Sequence, residues 1–136
     1  METRVTLHCD GGSRGNPGPA AIGVVTLGER HGAAIGVATN NVAEYSALIF
    51  GLERIRATCG ERANDLSVDV FLDSELVARQ MQGRYRVKSP DLRPLHARAR
   101  TLVAEFRSVS FHSVPREENA EADALVNEAL DRVVGR

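Results

Sequence analysis

The chain has 136 residues, 43% hydrophobic and 26% charged; this is ordinary globular usage and fits a single domain over 1–136 rather than a disordered segment. A formal net charge of −1 excludes a protein that coats nucleic acid by charge alone, although a cluster of functional acids would hide a modest basic surface in that sum. No apolar run approaches the roughly 20 residues of a membrane span and the N-terminus lacks a secretion-signal layout, so the expectation is a cytoplasmic monomer without an obligate protein partner.

In chain order, residues 4–10 alternate as a strand, with Val5, Leu7 and Cys9 on one face and Thr6, His8 and Asp10 on the other. Gly11 to Pro19 is a dense turn signal. Residues 20–27 and 31–38 read as two further strands joined by Gly28-Glu29-Arg30, completing an antiparallel meander. From Asn41 to about Cys59, Tyr45, Leu48, Leu52, Ile55 and Cys59 recur at helical spacing, and Gly60 is a natural stop. Residues 66–72 return to strand alternation through Leu66, Val68, Val70 and Leu72. A short helix follows from Ser74 to Met81. Ser89-Pro90 predicts the start of another helix, reaching Phe106. Residues 108–114 form a fifth strand, and a last helix after Pro115 turns Ala122, Leu125, Val126, Ala129 and Val133 inward.

The order βββ-α-β-α-α-β-α predicts an α/β fold: a five-stranded mixed sheet, strands one, four and five parallel, with helices on its faces. Trp is absent, so the core falls to Val, Leu, Ile and Ala. The two cysteines, Cys9 and Cys59, lack metal-ligand spacing and are expected as buried free thiols.

Asp10 closes the first strand and Asp73 the fourth, which puts two carboxylates side by side at the sheet edge where such folds bind ligands. Glu44, in the first turn of the first long helix, and Asp123, early in the last, lie near the same edge. Packed carboxylates must take up protons or hold cations, and an oxygen-only set suits Mg²⁺ or Mn²⁺. Two such ions about 4 Å apart activate water and stabilise the leaving oxygen of a phosphodiester. Each acid also has a structural reading. Asp10 fits a turn opener, Glu44 a capping box with Asn41, Asp73 a helix cap and Asp123 a solvated helix acid. Their conjunction at one edge favours a metal site.

The loop Gly11-Gly12-Ser13-Arg14-Gly15-Asn16-Pro17-Gly18 leads into a strand and matches neither a Walker nor a dinucleotide pattern. It fits a hairpin loop, or bare backbone able to donate N–H groups to ribose. Thr39-Asn40-Asn41, at a helix N-terminus, offers further donors toward phosphate.

Together these pieces, Asp10-Gly11-Gly12-Ser13 with Asn16-Pro17-Gly18, Thr39 to Glu44, Asp73-Ser74, and Asn119 with Ala122-Asp123, resemble type 1 ribonuclease H over nearly the whole chain. The resemblance implies that Asp10, Glu44, Asp73 and Asp123 are catalytic metal ligands for two Mg²⁺ ions, or Mn²⁺, with Asp10 bridging and Asp123 held more loosely. It places Asn16, Asn40 and Asn41 at the minor groove of an RNA/DNA hybrid, the Gly11 backbone where the 2′-hydroxyl that marks RNA is read, Thr39 at a phosphate of the DNA strand, and Ser13 among the substrate-binding residues. The implied reaction is endonucleolytic cleavage of the RNA strand, leaving 5′-phosphate and 3′-hydroxyl ends. The shortness of the chain resembles the archaeal and actinobacterial variety.

Two departures stand out. The loop before the last helix, Val114 to Glu118, lacks the His that many members carry, which makes Arg116 the candidate phosphate or leaving-group contact against a solvated loop charge. The basic insertion of some members is reduced to Gly83-Arg84-Tyr85-Arg86-Val87-Lys88, which fits a contact to the DNA strand or a solvated turn. The four histidines, 8, 31, 96 and 112, are expected to be structural. Competing functions are a non-catalytic hybrid-binding module and a metal nuclease for duplex RNA or branched DNA; the Asn16, Asn40, Asn41 set favours 2′-hydroxyl reading.

Overall fold

The first strand runs further than the sequence predicts. The computed structural model describes residues 3–135, so the ends of the expected domain lie outside the described residues. Its first strand, β1 (Thr3–Ser13), does not stop at Asp10. Gly11, Gly12 and Ser13 pair with Ile22, Ala21 and Ala20 of β2 (Gly18–Thr26). The turn signal is therefore confined to 14–17. The next hairpin is also tighter than expected: Leu27 and Gly28, both with positive φ, form the turn, and Glu29 and Arg30 already belong to β3 (Glu29–Ala38). A two-residue hairpin requires that left-handed backbone to match strand twist.

The meander leads into α1 (Asn40–Cys59), then β4 (Leu66–Leu72), α2 (Glu75–Met81), α3 (Arg93–Val103), β5 (Ser108–Ser113) and α4 (Ala120–Val134). Sheet order is β3-β2-β1-β4-β5, with β1, β4 and β5 parallel and the first three strands antiparallel, as the element pattern predicts. α3 begins later than Ser89-Pro90 suggests. The Ser89 carbonyl first accepts Leu92 and Arg93 N–H in a turn, and a proline near the start of α3, Pro94, lacks the N–H that would extend the helix backward. Beyond Val103 the chain tightens into i→i+3 bonds from Glu105 and Phe106, which ends the regular helix before Phe106.

Two cores separate the faces. Leu7, Cys9, Val24, Val68 and Val70 pack with Tyr45, Leu48, Leu52 and Ile55 of α1 and with Leu102 of α3. On the other face, Ala21 meets Val126, Ala129 and Leu130 of α4. Burial of that second face ends at Leu130, leaving Val133 60% exposed, contrary to its expected inward position; Leu125 is half-buried. Cys9 and Cys59 are both free, but only Cys9 is buried; Cys59, the last residue of α1, is partly exposed.

Candidate active site

Parallel pairing of β1 with β4 sets the site. Its register places His8 opposite Phe71, so two residues later Asp10, in β1, and Asp73, just past the end of β4, come side by side. Asp10 is 5% and Glu44 4% exposed, and Asp73 is half-buried. One oxygen from each of these three carboxylates lies within 4.8 Å of the others. Asp123, on α4, is outside this cluster but lines the same cleft, of about 380 Å³. The structure thus unites three of the predicted acids and brings the fourth into the same cleft, near enough to Asp10 to act on its carboxyl.

The structural alternatives for these acids fail one by one. Asp10 opens no turn, since the strand continues and pairs it with Gly23. Thr39, not Asn41, caps α1, its Oγ1 accepting Val42 N–H at 3.2 Å. Glu44 instead accepts the Gly11 N–H at 3.0 Å. Ser74, not Asp73, caps α2 by accepting Val77 N–H. Asp123 is half-buried and its Oδ2 accepts from Asn127 Nδ2 at 3.4 Å.

Close backbone approaches make the convergence possible. A Cβ on Gly11 would lie 2.2 Å from the Ala43 carbonyl, so only glycine lets β1 touch the first turn of α1. A Cβ on Gly23 would lie 2.1 Å from the Ala122 oxygen, so β2 admits α4 and its Asp123 by the same means. Asn119, 1% exposed, donates Nδ2–H to the Cys9 carbonyl at 2.9 Å and ties the start of α4 beside Asp10.

Burial, followed by repulsion from Asp73 and a smaller contribution from Asp123, pushes Asp10 from its ordinary 3.8 up to about 7. Burial first and then Asp10 also hold Glu44 well above the usual carboxylate range. Burial likewise raises the Cys9 thiol, with Glu44 and Asp10 adding to the effect, so that thiol is unreactive. A buried set of oxygen donors that repel one another fits a hard divalent cation, which would relieve the repulsion. Asp10, Glu44 and Asp73 would hold it, with Asp123 as the outlying acid.

The nearby polar residues interlock. Asn16 Oδ1 accepts the Asn40 N–H at 3.0 Å and Asn40 Oδ1 the Ser13 N–H at 3.3 Å, leaving both Nδ2 groups for a ligand. The expectation of freely donating loop backbone needs correction: Gly11, Ser13 and Arg14 N–H groups are taken by Glu44, Asn40 and the Pro19 carbonyl. Asn41 is half-buried at the start of α1. Arg116, 75% exposed, sits 3.7 Å from Asp73 and borders the cleft. The four histidines, expected to be structural, each make a contact within the fold. His8 and His112 stack on either side of Phe71, His31 bonds Glu29, and His96 meets the Gln80 carbonyl. Sequence reasoning gave no role to Arg14, Asn119 or Asn127. Arg14 sits in a quoted motif and Asn127 one turn after Asp123, but a lone polar residue there reads as solvated.

Comparison with known proteins agrees with this geometry. A reverse transcriptase-like family profile matches residues 8–129. A bifunctional protein of Mycobacterium tuberculosis is 45% identical over 136 residues, covering 94% of this chain and 36% of the relative, so the chain spans about a third of that relative's length. The crystal structure of ribonuclease H1 from Halobacterium salinarum superposes with a TM-score of 0.86 at 45% identity, covering 96% of this chain and 99% of that one. Ribonuclease H1 LC11, isolated from compost and solved with an RNA/DNA hybrid, gives a TM-score of 0.89 at 46% identity over 96% and 99% of the two chains. Fold, acid placement and near-complete coverage at this identity agree: the chain belongs to the type 1 ribonuclease H family.

Proposed function

We propose that this chain is an endonuclease that hydrolyses the RNA strand of RNA/DNA hybrids with divalent metal ions, leaving 5′-phosphate and 3′-hydroxyl ends. The observation that carries the reading is the Asp10, Glu44, Asp73 cluster, with oxygens within 4.8 Å beside a cleft that Asn40 and Asp123 also line. The hybrid-bound relative supports the substrate class.

When bound, two Mg²⁺ or Mn²⁺ ions supply activation of water and stabilisation of the departing 3′-oxygen. The protein's own groups do the rest. Asp10 and Glu44 are held rigidly by burial and by the Gly11 N–H, so their oxygens need little reorganisation. Asn16, Asn40 and Asn41 present amides to the minor groove, where a 2′-hydroxyl separates RNA from DNA. Thr39, at the N-terminus of α1, faces the end of a helix dipole that favours phosphate. Arg116, near Asp73, is placed to meet a phosphate oxygen. Arg84, Tyr85, Arg86 and Lys88 are exposed and offer charge and one ring to the DNA strand. Residues 1–136 act as one domain, in the cytoplasm and as a monomer. No helix among the described residues is long and apolar enough to cross a membrane.

The test is cleavage of an end-labelled RNA/DNA hybrid with Mg²⁺ or Mn²⁺ by wild type and Asp73→Asn. RNA-strand products that vanish with the substitution and with chelator are expected. Intact protein that binds hybrid without cutting it under either metal would replace this reading with a binding module. Cutting of duplex RNA or branched DNA in preference to hybrid would redirect the substrate.

A further inference from the structure

Arg14 makes a connection that the proposed chemistry does not use. The loop 14–17 carries Asn16 and is fixed at one side by α1, through the Asn40 N–H to Asn16 Oδ1 bond. Its other side is fixed by the Arg14 side chain. Arg14 Nη2 donates to Asp131 Oδ1 at 2.6 Å and Nη1 to the Gly135 carbonyl at 2.9 Å, joining parts of the chain more than a hundred residues apart. The end of α4 suits a guanidinium. Its last carbonyls lack helical partners and its dipole is negative there, and the planar fork satisfies a carboxylate and a carbonyl together. The Arg14 side chain is 35% exposed, so the pair is neither deeply buried nor freely solvated, and Arg14 borders the same cleft as the four acids. At the base of the loop the Arg14 N–H donates to the Pro19 carbonyl at 2.8 Å, so the same residue anchors the loop by its backbone to β2 and by its side chain to the end of α4.

We infer that Arg14 is a positioning residue for hybrid recognition: bridging Asp131 and the Gly135 carbonyl, it clamps the loop between the start of α1 and the end of α4 and so fixes Asn16 against the substrate groove. This rests on the hybrid-cleaving reading. α4 also holds Asp123, so the clamp ties the recognition loop to the same helix as the outlying acid. Because no reacting group touches Arg14, its loss acts on binding and on discrimination between duplexes, not on the chemical step.

The experiment measures KM and kcat on RNA/DNA hybrid and on matched duplex RNA, with hybrid binding followed in parallel by fluorescence anisotropy. Variants are Arg14→Ala, Arg14→Lys, Asp131→Ala and the exchange Arg14→Asp with Asp131→Arg. The expected result is a rise in KM for hybrid of about tenfold in Arg14→Ala, the loss of both partly exposed charge-assisted bonds, with kcat kept. Asp131→Ala should move KM the same way by a smaller factor, since the Gly135 bond survives. Arg14→Lys and the exchanged pair should recover part of the loss. An unchanged KM in Arg14→Ala, or a fall in kcat alone, overturns the clamp. A KM that rises in Arg14→Ala but not in Asp131→Ala, with weaker salt dependence of binding, also overturns it, because Arg14 would then be a direct phosphate contact. Wild-type protein that neither binds nor cuts hybrid would sink the ribonuclease reading instead, and circular dichroism of each variant separates all of these from failure to fold.

Discussion

Replacing Asp10 by Asn should stabilise the metal-free protein while abolishing its proposed activity. Asp10 is buried, and burial together with Asp73 moves its carboxyl from 3.8 to about 7. A raised carboxyl pKa means that the folded state binds the proton more tightly than the unfolded chain. Stability from this group is therefore full below about pH 4 and is lost as pH rises through about 7. At about 1.4 kcal/mol per pH unit, the stability lost through Asp10, relative to acid pH, is about 2 kcal/mol at pH 5, where only the unfolded chain ionises, and about 4 kcal/mol at pH 8. Asn has nearly the same shape as protonated Asp and never pays the ionisation term. The Asn variant should thus match wild type near pH 4 and gain progressively above it.

Urea unfolding in EDTA at pH 5 and pH 8, for wild type and Asp10→Asn, measures this directly. At pH 8 the expected gain corresponds to a rise in melting temperature of roughly 10 °C for a domain of this size. Added Mg²⁺ should then narrow the gap, because an ion bound by the native carboxylates stabilises wild type by mass action. A variant that is destabilised at every pH, or a difference that does not grow between pH 5 and pH 8, would refute the idea that the fold holds these acids together at electrostatic cost.

Other substitutions probe the scaffold. Gly23→Ala puts a Cβ 2.1 Å from the Ala122 carbonyl, which forces α4 off the sheet; a loss of about 2 kcal/mol in urea unfolding, with reduced hybrid cleavage as Asp123 shifts, is expected. Asn119→Ala leaves the Cys9 carbonyl, now bonded at 2.9 Å, without its donor, and should cost about 1–3 kcal/mol in the same assay.

Where a side chain acted through its own periodicity, the sequence was easy to read. Tyr45, Leu48, Leu52 and Ile55 recur at helical steps and all four are fully buried; Leu66, Val68, Val70 and Leu72 alternate and are buried too. Those two patterns suffice to place a helix over a strand. The errors arose where backbone decided. Gly11 and Gly12 read as a turn because glycine serves turns so often, yet in β1 they lie within the strand, and Gly11 is needed for helix approach. Val133 had the right period but lay beyond the sheet, which no local pattern reports. Glu44 fitted a capping box equally well as a ligand; only its long-range bond to Gly11 settles which structural partner it takes.

The site accordingly depends on residues that carry no charge. Four acids on four segments supply the chemistry, but their spacing is set by how closely two helices approach the sheet. α1 reaches β1 because Gly11 lacks a Cβ, and α4 reaches β2 because Gly23 does. Moving either helix outward by the width of a methyl group would leave the composition of the cleft intact while separating Glu44 or Asp123 from Asp10. The proposed Arg14 clamp extends the same logic to recognition, since Asp131 and Gly135, its partners on α4 and just past it, move with the helix that Gly23 admits. A substitution at Gly23 should therefore displace Asp123 together with the α4 side of the Arg14 clamp, whereas one at Gly11 should displace Glu44 together with Asn40 and the α1 side of the loop. Hybrid binding in the two glycine variants, each with and without Arg14→Ala, would separate these effects: if α4 carries the clamp, Arg14→Ala adds no further loss of binding in Gly23→Ala but a clear further loss in Gly11→Ala.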